Sequence, residues 1–209
     1  MSDAWSQQIR SHVERHIGRI DRVFAGDAAQ GGAPDVLHVG PVNSRPYHTL
    51  VTAGMSRVAM PVPPEVSAPR RLELMMTLPE GWNPSDESSL WPIRLLQLLS
   101  RQPGEHAGWL GWGHTVRNGD PPQPLTPNTE LCGVIIAPSL LVPVAFYELA
   151  IDGERVAFYS AIPLYREELE LHAREGMAEL LGRLLHKDIN DVVYLKRKNV
   201  AKKKRFGFF

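Results

Sequence analysis

The chain has little of what marks a membrane, secreted or metal-binding protein. It has one cysteine, Cys132, among 209 residues, which excludes an internal disulfide and a multi-cysteine metal site. Its longest apolar stretch, 131–146, is interrupted by Gly133, Pro138 and Pro143 and falls short of the ~18 residues that a membrane-spanning helix needs. The first residues lack the basic and then apolar pattern of a signal peptide. These absences predict a soluble, cytoplasmic protein with no membrane partner.

The chain also has no net charge, because 23 basic residues balance 23 acidic ones. Seven of the basic residues, and no acidic one, lie between Lys196 and Arg205; without them the chain has 16 basic and 23 acidic residues, a charge of −7. Most basic runs are solvated, and this one lacks the interleaved aromatic residues of nucleic-acid binders. We therefore expect residues 200–209 to form a solvated basic tail and expect no nucleic-acid partner. The pattern leaves open the role of three aromatic residues in this tail, Phe206, Phe208 and Phe209.

The spacing of apolar residues predicts a helix at the start of the chain. An apolar residue recurs every three or four positions from Trp5 to Phe24, which places one apolar stripe on a helix face. Asp3 can accept hydrogen bonds from the free amides at the helix start. Gly26 and the glycines before Pro34 then end it. We expect residues 1–34 to form this helix and a linker, packed on the domain that follows.

The rest of the chain predicts strands mixed with helices. We expect strands at 35–42, 47–55, 71–78 and 132–137, and helices at 90–99 and 166–185. Asp152-Gly153, between two strand-like segments, predicts a β-hairpin. Glu73 lies inside the third predicted strand, which implies either an edge position or a paired carboxylate. The mixture predicts an α+β (α/β layered) fold, with a mixed or antiparallel central β-sheet packed by helices.

Eight histidines invite a metal-site hypothesis, but their spacing does not support it. His12 and His16 lie four residues apart on one helix face, as in zinc peptidases. Those enzymes place a glutamate directly after the first histidine or directly before the second, and here these positions are Val13 and Arg15. Two imidazoles without a third protein ligand leave zinc under-coordinated. We therefore expect no metal at this pair.

Signals for nucleophilic or nucleotide chemistry are equally weak. The chain has no Gly-x-Ser-x-Gly elbow. Cys132 lies in an apolar run, which is typical of a small buried hydrophobe rather than of a reactive thiolate. Gly108, Gly111 and Gly113 lack the spacing of a phosphate-binding loop. We therefore expect no catalytic residue and no cofactor.

The segment from Trp109 to Asp120 is the one stretch that concentrates chemically versatile residues. Two tryptophans, His114 and several glycines share a predicted loop, and His114 could act as a general base oriented by Asp120 or Glu168. In the structural alternative, the tryptophans fill the core and His114 bonds a nearby carbonyl. No complete set of nucleophile, base and oxyanion donors can be assembled, which favours the structural alternative.

From about Asp35 to about Asn199, short segments follow an order that is characteristic of one family. They are Arg45-Pro46-Tyr47, Thr49–Thr52, Gly54-Met55, Arg71 with Glu73-Leu74, Leu78-Pro79, Trp91–Arg94, Gly113–Thr115 with Asn118-Gly119, Leu131–Gly133, Phe158-Tyr159, Ile162–Tyr165, Glu167–Leu169, Gly176 and Leu180-Leu181. As an ordered set they resemble the suppressor-of-fused-like (SUFU) domain in its bacterial single-domain form. We expect this domain to span residues 35–199.

The resemblance implies a non-enzymatic binding domain with a mixed sheet packed by helices. The animal member of the family represses a signalling pathway by sequestering a transcription factor, which adds a strand between two lobes. This chain matches only the amino-terminal lobe, so that clamp does not carry over. Bacterial relatives resemble immunity proteins of polymorphic toxin systems. The resemblance therefore implies a protein partner that is a toxin domain.

Three function classes follow for this chain. The first is an immunity protein that neutralises a toxin by stoichiometric binding, which the acidic body suits if the toxin is basic. The second is a general protein-interaction module without a toxin partner. The third is a hydrolase or metal enzyme centred on His114. For the binding classes, candidate partner-contacting residues are side chains that core packing does not demand: Tyr47, Trp112, His114, Tyr159, Tyr165, Glu167 and Glu168.

Overall fold

The computed structural model describes residues 4–26, 32–105 and 108–202, which form one mixed β-sheet packed by helices. Its strands are β1 (Arg22–Phe24), β2 (Asp35–Val39), β3 (Tyr47–Ala53), β4 (Arg71–Pro79), β5 (Thr115–Arg117), β6 (Leu131–Ala137), β7 (Glu148–Ile151) and β8 (Glu154–Tyr165). The sheet runs β1-β2-β3-β4-β8-β6-β5, and β7 pairs with the start of β8. β4 and β8 are parallel, whereas the other neighbouring strands are antiparallel. This confirms the α+β fold with a mixed central sheet.

The helices of the described residues are α1 (Ala4–His16), α2 (Trp91–Glu105), α3 (Arg166–Glu175) and α4 (Met177–His186). Because alternate strand residues point to opposite faces, Leu74 of β4 packs in one apolar cluster with α2 and Met75 packs in another with α1. A third cluster joins α3 and α4 to β6 and β8. Among the described residues, no helix combines the length and apolar character needed to span a membrane.

Two glycines divide patterns that the sequence predicts as longer helices. α1 ends at His16, and Gly18 follows with a φ of 151°, so the apolar stripe up to Phe24 continues through a turn into β1. The helix predicted at 166–185 is instead α3 and α4, separated by Gly176 with a φ of 86°. A glycine at positive φ ends a helix at little steric cost. Both predictions of a single long helix are therefore corrected.

The predicted hairpin and the predicted buried strand are both present. Asp152 and Gly153 have φ values of 50° and 80°, the left-handed pair that a type I′ turn requires, and they join β7 to β8. Every residue of β6 is buried. These two elements had the strongest local signals in the sequence.

The Glu73 carboxylate lies in the interior of the sheet, because β4 is flanked by β3 and β8. It is fully buried and accepts hydrogen bonds from the hydroxyls of Thr52 and Ser56 at 2.5 and 2.6 Å, and from the amides of Gly54 and Ser56 at 3.0 Å. Burial raises the pKa of Glu73, and these donors oppose that rise. Of the two alternatives that the sequence left open, the paired carboxylate is the one observed.

Residues 190–202 form an irregular segment, here named the strap, that lies against the sheet and α3. Near its start, the Val193 amide donates to the carbonyl of Thr77 in β4 at 2.8 Å. The Leu195 carbonyl then accepts from the Thr129 hydroxyl at 2.6 Å. Farther along, the Arg197 carbonyl accepts from the Tyr165 hydroxyl at 2.7 Å. The strap is therefore attached along its length, although it contains no helix or strand.

A buried ion pair fixes the strap to the start of α3. The Arg197 guanidinium donates to both oxygens of Glu168, at 2.7 and 2.5 Å, and the two side chains are only 7% and 0% exposed. Glu168 also accepts from the amides of Tyr165 and Val200, at 3.0 and 2.9 Å. The expectation that the basic run is solvated is therefore wrong for Arg197. Val200 and Ala201 pack on the third cluster, while the part of the predicted tail beyond Lys202 lies outside the described residues.

Breaking the buried pair should strongly destabilise the fold. Arg197→Met leaves the Glu168 carboxylate buried without its cation, which costs about 3–5 kcal/mol of unfolding free energy. Urea denaturation measures this loss, and Lys198→Met, at the exposed neighbouring lysine, is the control and should change stability by less than about 0.5 kcal/mol. A loss below about 1 kcal/mol for Arg197→Met would show that the pair is solvated.

A second buried polar cluster joins β2 to β3. The Nε2 atom of His38 lies 2.8 Å from Nδ1 of His48, and Nε2 of His48 lies 3.1 Å from the Glu80 carbonyl. Because a carbonyl only accepts, His48 donates to it from Nε2 and accepts from His38 at Nδ1. The Trp82 indole contacts both imidazoles edge to face, with its ring centre 5.5 Å from that of His38 and 5.3 Å from that of His48. Burial, and next the neighbouring His48, lower the pKa of His38 to about 4.

This lowered pKa should make stability depend on pH. Between pH 6.5 and about 4, His38 is protonated in the unfolded chain but neutral in the folded chain. The contribution of neutral His38 to the unfolding free energy is therefore fully present above pH 6.5 and decreases as the pH falls, by about 3 kcal/mol at pH 4. His38→Gln keeps a donor toward His48 and should lose about 3 kcal/mol less than the wild type between pH 7 and pH 4 in urea titrations.

The exposed histidine at the end of α4, His186, provides the matched control. His186→Gln should retain the wild-type decrease in unfolding free energy between pH 7 and pH 4, since that side chain is open to water in both states. Equal decreases for the wild type and His38→Gln would contradict the assignment of the acid loss to His38.

Candidate functional site

The seven candidate residues from the sequence lie in separate parts of the fold rather than in one site. Tyr165, Glu167 and Glu168 lie at the start of α3 beside the strap. Trp112 and His114 lie in the loop before β5, Tyr47 lies at the start of β3, and Tyr159 lies within β8. The strap contacts the first group directly.

The group at α3 is largely structural. Tyr165 is 6% exposed and Glu168 is 0% exposed, so Glu168 presents no surface to a partner and Tyr165 presents only a small one. Glu167 is partly exposed and accepts from the Asn199 side chain at 2.9 Å. Burial opposes ionisation of Glu167, but hydrogen bonds, including that from Asn199, and the charge of Lys202 lower its pKa overall. Of this group, Glu167 is the most exposed and stays a proposed partner contact.

The loop before β5 combines one exposed ring with one engaged ring. Trp112 is 56% exposed, the exposure expected of an interface anchor. The Nδ1 atom of His114 lies 3.2 Å from the Trp109 carbonyl, and the two rings lie 4.1 Å apart. Glu168, proposed in the enzyme hypothesis to orient His114, is bound to Arg197 instead. The contact of His114 is that of the structural alternative, but Trp112 does not fill the core as that alternative expected.

Tyr47 and Tyr159 are both partly buried. The Tyr47 hydroxyl donates to the Leu141 carbonyl at 3.0 Å, and the Arg45 guanidinium lies 5.3 Å from the centre of the Tyr47 ring. Burial raises the pKa of Tyr47. Tyr159 packs against the cluster under α2. Tyr47 therefore joins the start of β3 to the loop at Leu141, and Tyr159 contributes mainly to the core.

A groove along the strap is a candidate site that the sequence did not predict. This strap groove has two adjoining parts, with volumes of about 460 and 500 Å³. It is lined by Pro127, Asn128, Thr129, Glu130, Tyr165, Tyr194, Leu195, Lys196 and Arg197. Tyr194 is 56% exposed. The sequence signal was the pair Tyr194 and Leu195 directly before the basic run. It was not used, because the run was expected to be solvated.

The charges around the strap groove are mostly positive. Lys196 and Lys198 are exposed, and Lys202 lies 3.4 Å from Glu130 and 3.7 Å from Glu167. The charges of Glu167 and Glu130 raise the pKa of Lys202. An apolar floor with charged margins can bind one apolar side chain and the polar groups beside it.

The polar clusters of the described residues do not assemble a metal site. No group of three or more histidine, cysteine, aspartate or glutamate side chains in this part of the chain is placed to hold an ion. His12 is buried with Nε2 3.1 Å from the Phe146 carbonyl, and its ring contacts His16 edge-on. Cys132 is buried, and burial raises the pKa of its thiol.

Solved structures of SUFU proteins share this fold. A SUFU homologue from Neisseria gonorrhoeae FA 1090 superposes with a TM-score of 0.69 at 15% identity, over 95% of this chain and 98% of that one. A chain of the Sufu–Fu complex gives 0.69 at 17% identity, over 94% and 92%. Drosophila Suppressor of Fused gives 0.55 at 17% identity, over 86% of this chain and 42% of that one. At these identities the likeness shows the fold.

The sequence itself carries the family assignment. No curated protein matches it. The model of the family described as Suppressor of fused protein (SUFU) matches residues 33–198, which is most of the chain and includes the sheet from β2 to β8, α2 to α4 and most of the strap. The chain therefore belongs to the Suppressor of fused protein (SUFU) family.

Proposed function

We propose that this chain is a non-enzymatic protein-binding domain that neutralises a bacterial toxin by binding it stoichiometrically. Membership of the SUFU family supports protein binding, since one structural neighbour is a complex of Sufu with Fu. The observation that carries the proposal is the strap groove. It combines an exposed aromatic ring and lysines with a frame that a buried ion pair holds in place.

Exposed aromatic side chains on a fixed frame are suited to anchor a protein complex. Tyr194 and Trp112 are each 56% exposed, and tyrosine and tryptophan are enriched among the few residues that supply most binding free energy. A frame that is already ordered reduces the entropy lost on binding. These two rings, which lie on different elements of the fold, are therefore the proposed anchors, and Glu167 beside the strap is the proposed acid.

The toxin partner is proposed from the resemblance to bacterial immunity proteins and from charge. Outside the basic run the chain has a charge of −7, which suits a basic toxin surface. Complementary charge mainly accelerates encounter, whereas desolvated anchors slow dissociation. In this mechanism the chain covers the toxin and performs no chemical turnover.

The proposal predicts that a neighbouring reading frame encodes a toxin domain, and that domain is the probe with which the stoichiometry is measured. Titrating that domain with this chain should abolish toxin activity at one equivalent, because each toxin must be covered by one chain. Trp112→Ala should raise the Kd of the complex at least about tenfold, while Leu185→Ala, at an equally exposed residue of α4, should leave it unchanged. Complete neutralisation far below one equivalent would mean turnover and would exclude stoichiometric binding.

Salt should act mainly on the association rate of this complex. Raising the ionic strength from about 0.05 to 0.5 M shortens the screening length, so the association rate constant should fall more than the dissociation rate constant rises. Stopped-flow fluorescence measures both. An association rate constant that is independent of salt would exclude charge steering by the acidic body.

A further inference from the structure

The strap groove carries a charge opposite to that of the rest of the molecule. From Leu195 to Lys202 the sequence has four basic residues and no acidic one. Glu168 pairs with Arg197, and Glu130 and Glu167 lie beside Lys202. Within the described residues, no carboxylate lies within 4.0 Å of the exposed Lys196 or Lys198. Lys196, which lines the groove, and Lys198, two residues farther along the strap, are therefore available to a ligand.

The floor of the groove suits an apolar group. Tyr194, Leu195 and Asn128 line its larger part, about 500 Å³ in volume, which is enough for one or two side chains. The strap backbone is held from beneath, since Thr129 bonds the Leu195 carbonyl and Tyr165 bonds the Arg197 carbonyl. A ligand would contact a surface that is already ordered, so the strap would lose little conformational entropy on binding.

We propose that the strap groove binds an acidic segment of the partner protein. One apolar side chain of that segment lies against Tyr194 and Leu195, and carboxylates on either side of it face Lys196 and Lys198. This inference rests on the proposed function and names the chemistry that the groove recognises. The partner then has two unlike regions: a basic surface that faces the acidic body and an acidic segment in the groove.

An acidic residue in the lining of the groove favours a protein segment over a nucleic acid. Glu130, whose side chain is 79% exposed, lines the groove together with Lys196, where it would repel a continuous phosphate backbone. The guanidinium best suited to bidentate phosphate recognition, that of Arg197, is already occupied by Glu168. A peptide can place its carboxylates at the two lysines alone and leave neutral groups facing Glu130.

Fluorescence anisotropy with defined peptides tests the proposal. The probes are labelled seven-residue peptides with a central leucine, phenylalanine or tryptophan, one glutamate on each side of it and glycine at the remaining positions, so that neutral groups face Glu130. At least one should bind the wild-type chain, and it should bind at least about tenfold more weakly when serine replaces the apolar residue, because the floor is then unfilled. Replacing the glutamates by lysines should abolish binding. Absence of binding by all three peptides at millimolar concentration would overturn the proposal.

Variants locate the binding to the groove. The pair Lys196→Glu and Lys198→Glu should weaken the best peptide at least about tenfold, and Tyr194→Ala should do the same. Lys187→Glu, at an exposed lysine after α4, is the charge-matched control and should not change binding. Equal affinity in all these variants would overturn the proposal, as would displacement of the peptide by polyuridylate at lower concentration than by the unlabelled peptide.

The peptide assay tests the acidic-segment proposal and the toxin titration tests the proposed function, so a negative result in one leaves the other proposal standing. Neutralisation at one equivalent without peptide binding would remove the acidic-segment proposal and leave the toxin-binding function in place. Peptide binding confined to the groove, with no neutralisation of the toxin, would overturn the toxin function and keep the groove's specificity.

Discussion

The ion pair between Glu168 and Arg197 is the constraint on which the rest of the candidate surface depends. It joins the start of α3 to the strap across 29 residues of sequence, and the same carboxylate holds the Tyr165 and Val200 amides. Burying two charges is expensive unless both are fully hydrogen-bonded. Arg197 meets this condition by also donating to the Pro163 and Lys198 carbonyls. One arrangement of the strap is therefore selected.

The consequence for the proposed function is a candidate surface made of irregular backbone that hydrogen bonds attach to the sheet and to α3. β8 ends at Tyr165, α3 starts at the next residue, and the strap passes over this junction. The groove that results has an exposed ring, an exposed lysine and an apolar floor. Loops that bind partners commonly sit on a rigid scaffold. In this member of the SUFU family, the scaffold is the mixed sheet and the buried pair fastens the strap to it.

Local patterns in the sequence were sufficient for the elements whose cause is local. The Asp152-Gly153 turn and the apolar run of β6 were predicted because backbone conformation and burial act on neighbouring residues. Apolar spacing did not reveal where Gly18 and Gly176 end helices. The strap was missed because a basic run looks the same whether it is solvated or paired with a distant carboxylate. Tyr165 and Glu168, predicted to contact a partner, are buried because the strap covers them. Tyr194 was overlooked because it belongs to the same strap.

Amide hydrogen exchange in the native chain tests most directly whether the strap belongs to the folded domain. The amides of Val193 and Val200 donate to the Thr77 carbonyl and to Glu168, so they exchange only when the strap opens. The buried pair predicts exchange at least about a hundredfold slower than in an unstructured peptide, since opening must separate two buried charges. Exchange of both amides at the unstructured rate would contradict the account, because the strap would then be a solvated tail and the groove would have no fixed wall.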